Sequence, residues 1–260
     1  MAYPKGTLIR HTTVTRINHW ITAACFILLV LSGLSMFHPL LYFLSGLFGG
    51  GQWTRAAHPW IGVVLLISYF GLVVQSWREN LWNRDDLAWL EHVQLVVTNQ
   101  EEGLPEVGRY NAGQKFVFWA MTLLVPVLFF TGLAIWDIYF SAYTTIEQQR
   151  FAVLVHSLAA IAAIMVWVIH VYAAIWVKGS VRAMTQGYVT PGWAWRHHRN
   201  WLRELAATGS RGPLPHADRN RTETGLREPL PREDSDAEGT GSRLPLPRGE
   251  GNGAGTRKSP

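Results

Sequence analysis

Two histidines, His156 and His170, lie fourteen residues apart in one apolar run, Phe151 to Val177. On an α-helix that spacing separates the rings by about 21 Å along the axis and turns them only about 40° apart. A hydrocarbon core is about 30 Å thick, so one imidazole belongs near each membrane surface, both on one face. Ionisable side chains within a membrane span are functional candidates by default. Two imidazoles on facing helices at one level can grip a metal-centred ring, and helix bundles build cofactor sites in this way.

The elements that must position them follow from where charge is absent. Charge is concentrated before residue 17, between 76 and 115, and after 178. Four apolar stretches remain, at about 17–37, 59–77, 116–136 and 151–177, each long enough to cross a bilayer and many ending in Trp or Tyr. The first is too long for a secretory signal core and lacks a convincing small-residue cleavage pattern, so it is read as a retained helix. The fold class is therefore an all-α membrane protein, a four-helix bundle.

Orientation comes from Lys and Arg near the spans. Twelve lie in the N-terminus, the middle loop and the segment after the last span, against Arg55 and Arg150 alone in the other two loops. Both termini are expected in the cytoplasm. The pI of about 9.6 is mainly a topology signal. Scattered over three segments, the basic residues do not form a nucleic-acid patch.

Depth then pairs the histidines. His19, early in the first span, sits at the level of His170, and His58, just before the second span, at the level of His156. Two such pairs describe two bis-histidine haems, one per leaflet, with all four imidazoles as iron ligands. Cys25 is the only cysteine, which excludes covalent haem attachment, a thiolate iron–sulfur cluster and a disulfide. The haems are thus b-type, and with both axial positions filled they suit electron transfer. Zinc is a poor rival, because two ligands per site leave its usual four positions half filled.

Residues 1–16 form an N-terminal segment and 17–204 the membrane domain. Residues 38–57 read as an outer loop with a short interfacial helical turn. An amphipathic helix started by the Asp85–Asp86 pair is expected at about 85–97, and Pro59 at the first turn of the second span. Pro126 should bend the third. His11, His38, His92, His197, His198 and His216 read as surface or interfacial. Gly33, Gly62, Gly71, Gly132 and the Ala159–Ala163 stretch are small either for porphyrin or for helix packing; both readings stand. From 205 to 260, Pro-Leu-Pro recurs every sixteen residues in a Pro/Gly/Arg-rich tail expected to be disordered.

Four segments then make a resemblance specific. They are Arg16-Ile-Asn-His19-Trp20, His58-Pro-Trp-Ile-Gly62, Val107-Gly-Arg-Tyr-Asn-Ala-Gly-Gln-Lys-Phe-Val-Phe-Trp119 and His170-Val-Tyr-Ala-Ala-Ile-Trp-Val-Lys-Gly-Ser180. Together with Arg196-His-His-Arg-Asn-Trp201 they resemble, in order, the cytochrome b (gamma) subunit of respiratory membrane-bound formate dehydrogenase. The resemblance runs from residue 8 to about 205. It implies an inner haem at His19 and His170 and an outer haem at His58 and His156. It implies electrons arriving from a periplasmic-side iron–sulfur (beta) subunit, and through it from a separate molybdenum or tungsten catalytic (alpha) subunit. It implies a quinone reduced near the cytoplasmic face at Asn111, Gly113, Gln114 and His170, in the bacterial inner membrane. At that site Lys115 could offset charge on the reduced ring, and Arg16 is either a propionate partner or a topology signal. No catalytic residue for formate is expected in this chain. The alternatives are a cytochrome b serving a hydrogenase or another periplasmic oxidoreductase, and a haemless membrane anchor.

Overall fold

The computed structural model describes residues 4–98 and 103–210, and the expected disorder of the tail beyond 210 lies outside those residues. Four helices are long and apolar enough to cross a membrane: α1 (Thr13–Phe37), α2 (Gly51–Ser76), α5 (Ala112–Ala134) and α7 (Ile146–Trp176). Their outward faces carry Ile67, Leu123 and Met165, each more than 60 % exposed. Apolar exposure on that scale needs lipid to cover it, so this is a multi-pass membrane protein.

The helices begin where their caps are. Thr12 accepts from the Thr15 N–H ahead of α1. Asn111 and Gln114 exchange reciprocal hydrogen bonds ahead of α5, as do Thr145 and Gln148 ahead of α7. α2 starts earlier than its apolar pattern does. Gly49 and Gly50 turn the chain at φ of 85° and 103°, where side chains are disfavoured, and the helix leaves from there. Pro59 accordingly lies inside α2 and not in its first turn, correcting the expectation from sequence. A helix can extend beyond its apolar stretch, so hydropathy alone misplaced its start. Pro126 lies inside α5 as expected. The outer connection, expected as one turn, is a 3₁₀ helix over Pro39–Phe48.

α1 packs along α2, and α5 along α7, while α7 approaches α1 and α2 far less closely. Within the first pair, Asn18 donates from Nδ2 to the Ser68 carbonyl at 2.9 Å and accepts at Oδ1 from the Ser68 hydroxyl at 2.7 Å. Gly71 lies beside Asn18, where a Cβ would come within 2.7 Å of Nδ2, so this glycine serves helix packing. Tyr69 joins the two pairs by donating to the Phe118 carbonyl at 3.0 Å. Phe26, Leu65, Val125 and Ala163 close the core between them.

The end of the bundle that carries residues 4–12 and 178–210 holds most of the described basic residues and folds into a second small core. The amphipathic stretch is two helices, α3 (Arg84–Glu91) and α4 (Val93–Val97), interrupted at His92, whose ring bonds the Ala88 carbonyl. Its cap is Asn83, in a reciprocal box with Asp86; the Asp pair fills the first turn instead of starting it. Between α5 and α7 lies a short turn, α6 (Asp137–Phe140). After α7 come α8 (Ser180–Gln186), α9 (Pro191–His197) and α10 (Arg199–Thr208). A two-residue ribbon pairs β1 (Leu8–Ile9) with β2 (Tyr188–Val189), antiparallel, a small departure from all-α. Leu205 is buried against Trp201 and Ala194, so the folded part continues past 204.

Arg10 sits at the centre of this end, 2 % exposed, with the rings of Trp201, Tyr110 and Trp193 at 4.7, 5.2 and 5.5 Å. Burial lowers its pKa to about 9. His11 and His198, expected at the surface, are 8 % and 2 % exposed. Their neighbours in sequence are charged, which is why they read as solvated. The His198 ring bonds the Gly108 carbonyl at 2.8 Å through Nδ1 and meets Arg10 through Nε2 at 3.3 Å. Burial first, and the charge of Arg10 second, hold both histidines well below their usual 6.5. Between that depressed pKa and 6.5 the unfolded chain binds more protons, so stability is full above pH 6.5 and falls as the solution is acidified. Each histidine contributes up to about 1.4 kcal/mol per pH unit. Limited proteolysis of the 178–210 segment should accelerate on going from pH 7 to pH 5.5. His198→Gln should flatten that response, and an acceleration unchanged by the substitution would exclude His198 as its source.

Candidate functional site

The structure brings the four span histidines together two by two. His19 on α1 faces His170 on α7, with ring centres 6.2 Å apart and planes inclined by 51°. His58 on α2 faces His156 on α7, at 6.3 Å and 62°. One pair lies toward the basic end of the bundle and the other toward the opposite end. Both bridge the seam between the α1–α2 and α5–α7 pairs, where the backbones stay apart.

The second pair is held by two hydroxyls that sequence reasoning missed. Ser32 on α1 donates to the Leu28 carbonyl at 2.7 Å, and its oxygen meets His58 Nδ1 at 2.7 Å. Thr131 on α5 donates to the Val127 carbonyl at 2.6 Å and meets His156 Nδ1 at 2.9 Å. Each hydroxyl proton is committed to its own helix, so each oxygen accepts from the ring. That arrangement calls for Nδ1–H on both imidazoles, for which the Leu128 carbonyl is a second acceptor at His156, and leaves Nε2 with its lone pair for a metal. Each hydroxyl is followed by glycine. A Cβ at Gly33 would touch His58 Cε1 at 3.5 Å, and one at Gly132 would touch His156 Cε1 at 3.4 Å. Around Gly62, one turn beyond His58, nothing lies within 4 Å of an added Cβ. The available signal was a Ser-Gly and a Thr-Gly inside otherwise apolar spans.

The first pair is built differently. Among the described residues His19 Nδ1 is buried without a hydrogen-bond partner, and Trp20 stands edge-on to the ring at 5.5 Å. Arg16, one turn before His19, donates to the Thr185 carbonyl at 2.5 Å and the Thr13 hydroxyl at 3.4 Å. It therefore ties α1 to α8.

Asn111, Gly113 and Gln114 form the first turn of α5. Asn111 Oδ1 accepts from the Gln114 N–H at 2.9 Å, and Gln114 Oε1 accepts from the Asn111 N–H at 3.1 Å. The box uses the two amide oxygens, so the amide N–H groups are what remain to donate to a ligand. Gly113 lies against Trp89 of α3, 3.3 Å from an added Cβ. Lys115 is not a free cation. It is 4 % exposed, with Nζ 2.6 Å from Asp86 Oδ2 and 3.0 Å from the Leu81 carbonyl, which corrects its expected role beside a reduced quinone.

These sites suit a porphyrin iron better than a bare ion. A metal–imidazole bond of about 2.0 Å, and ring nitrogens about 1.1 Å from their ring centres, separate two imidazoles across one metal by about 6.2 Å. Both observed separations agree. Among the described residues no cluster of three or more His, Cys, Asp or Glu could hold a metal ion, so each pair could offer a metal two imidazole nitrogens and would need a ring such as porphyrin to complete its coordination. The family model for prokaryotic cytochrome b561 matches residues 10–187.

The chain belongs to that cytochrome b561 family. Membership implies haem b as the prosthetic group. The cytochrome is 44 % identical over 204 residues to the formate dehydrogenase cytochrome b556(fdo) subunit of Escherichia coli K12, covering 78 % of this chain and 96 % of that protein. It is 37 % identical over 198 residues to the nitrate-inducible cytochrome b556(Fdn) subunit of the same strain, covering 76 % and 91 %. The formate dehydrogenase cytochrome b556 subunit of Haemophilus influenzae is 36 % identical over 197 residues, covering 76 % and 83 %. The 44 % match and the motifs quoted above agree on one subfamily.

Proposed function

We propose that this cytochrome is the di-haem b membrane subunit of a formate dehydrogenase complex. In this reading both termini lie in the cytoplasm and the chain resides in a bacterial inner membrane. An iron–sulfur subunit, itself fed by a molybdenum or tungsten catalytic subunit, docks on the periplasmic side and delivers electrons. A quinone is reduced near the cytoplasmic face. The observation that carries the reading is the stacking of two imidazole pairs at two depths, each spaced for one metal.

Two haems held there would supply one-electron carriers at both leaflets. The protein's own part is positioning. His58 and His156 present Nε2 because Ser32 and Thr131 hold the opposite nitrogen. His19 and His170 form the inner ligand pair. Asn111 and Gln114, with the Gly113 backbone, offer N–H donors to a quinone carbonyl at the start of α5, beside the inner level. Inward electron movement combined with proton uptake from the cytoplasm would contribute to the membrane potential, about 2.3 kcal/mol per charge per 100 mV. The names of the three relatives favour a formate-oxidising partner over a hydrogenase.

Formate added to the purified complex should reduce its b-type bands, and a quinone should reoxidise them. Reduction by hydrogen but not by formate would assign the chain to a different oxidoreductase. For the quinone site, Asn111→Ser keeps a capping oxygen while removing the amide donor. It should retain both haems and slow their reoxidation by quinone about tenfold, the value of one hydrogen bond of about 1.4 kcal/mol. Unchanged reoxidation would move the quinone site elsewhere.

A further inference from the structure

We infer that the hydroxyls of Ser32 and Thr131 are tuning residues, which hold the outer haem at a lower reduction potential than it would otherwise have and so favour inward electron flow. The inference rests on the reading above, in which each histidine pair holds a haem.

Both hydroxyl protons are committed to carbonyls four residues back, at 2.7 Å to Leu28 and 2.6 Å to Val127. The oxygens are therefore acceptors for Nδ1–H of His58 and His156, at 2.7 and 2.9 Å. An imidazole that donates its N–H to a fixed acceptor pushes electron density toward Nε2 and becomes a stronger ligand. A stronger donor favours the more highly charged ferric state, and hydrogen bonding around the ligands is one of the levers that set haem potential. Both outer ligands carry this feature. On the inner pair, His19 Nδ1 is buried and no described residue accepts from it, so no side chain described here strengthens that ligand in the same way.

The device also repeats. In one helix pair α1 serves α2, and in the other α5 serves α7; each time the hydroxyl precedes a glycine that lies against the ring. A serine or threonine bonded to its own helix is ordinary in a span. Two of them, aimed at the two ligands of one site and, among the described residues, at neither ligand of the other, make a pattern. Its consequence is a gradient. With haems bound, a lower potential at the His58–His156 site would favour passage of one electron from it to the His19–His170 site, the first becoming oxidised as the second is reduced.

The test uses the purified complex and compares wild type with Ser32→Ala, Thr131→Val, their combination, and the hydroxyl-keeping Ser32→Thr and Thr131→Ser. Haem per chain is measured first, then each b-type centre is titrated spectroscopically against an imposed potential. His170→Ala, expected to retain only the outer haem, provides the background that assigns the outer signal. The combined variant should keep two haems per chain. At the poise where the wild-type outer haem is half oxidised, its oxidised-to-reduced ratio should fall about tenfold, an upward shift of about 59 mV for a one-electron couple. The inner haem should not move, and the hydroxyl-keeping variants should match wild type. Each single substitution should move the potential in the same direction by less, which keeps the test decisive if the pair loses haem. An outer potential unmoved in Ser32→Ala and Thr131→Val, with both haems present, overturns the inference and leaves the di-haem reading standing. A wild-type complex with no b-type haem in this chain overturns both.

Discussion

Replacing His170 by alanine should cost this cytochrome one of two haems and abolish quinone reduction, while the remaining haem is still reduced by formate. His170 and His19 face one another across the helix seam at 6.2 Å, and alanine has no nitrogen to offer in place of the lost ligand. The other imidazole on the same helix cannot substitute, because His156 lies about 21 Å away along α7. One axial ligand alone does not give a six-coordinate bis-imidazole site, so the inner haem should be lost or become high-spin. The outer pair draws on different helix contacts, through Ser32 and Thr131, and should be untouched. Haem per chain, the visible spectrum after formate, and quinone turnover read the three consequences separately. His38→Ala serves as control, since that ring caps the 3₁₀ helix by accepting from the Leu40 N–H at 3.2 Å. Full quinone turnover in His170→Ala would contradict the relay.

Lys115→Met should be the most destabilising single change at the basic end. Lys115 and Asp86 form an ion pair at 2.6 Å whose side chains are 5 % and 2 % exposed. Removing the cation leaves Asp86 buried with an uncompensated charge, a loss of about 3–5 kcal/mol for such pairs. Asp86 also caps α3 by accepting from the Asn83 N–H at 2.8 Å, so the damage spreads to the Trp89–Gly113 contact that seats α3 on α5. Thermal unfolding in detergent should show a fall in Tm on the order of 10 °C. The double variant Lys115→Met with Asp86→Leu removes both charges and should recover most of that loss, short of the lost cap at about 1 kcal/mol. A double variant no more stable than Lys115→Met would mean that the unpaired charge is not the cause.

Which parts of this structure were legible in the sequence follows from what a helix fixes. Pitch and rise turn a spacing of fourteen residues into a depth and a face, so the matching of His19 with His170 and of His58 with His156 is readable from spacing alone. Length and apolarity placed the four spans for the same reason. The start of α2 could not be read that way, because a glycine turn at 49–50 sets it and hydropathy does not register backbone conformation. The burial of Arg10, His11 and His198 was also invisible. Their charge-rich surroundings read as solvated, whereas the ribbon between Leu8–Ile9 and Tyr188–Val189 folds segments about 180 residues apart over them. Ser32 and Thr131 escaped notice because hydroxyls in spans usually satisfy themselves on their own helix; only a partner helix reveals the second bond. Lys115 looked available because its counter-charge, Asp86, lies in a segment whose docking the sequence does not state.

The most direct measurement is the number and ligation of haems in the purified chain, taken from quantitative haem extraction together with electron paramagnetic resonance of the oxidised protein. Two b-type haems per chain, both low-spin with bis-imidazole ligation, are the predicted result. A single haem, or ligation to anything other than His19, His58, His156 and His170 when each is replaced in turn, would contradict the account.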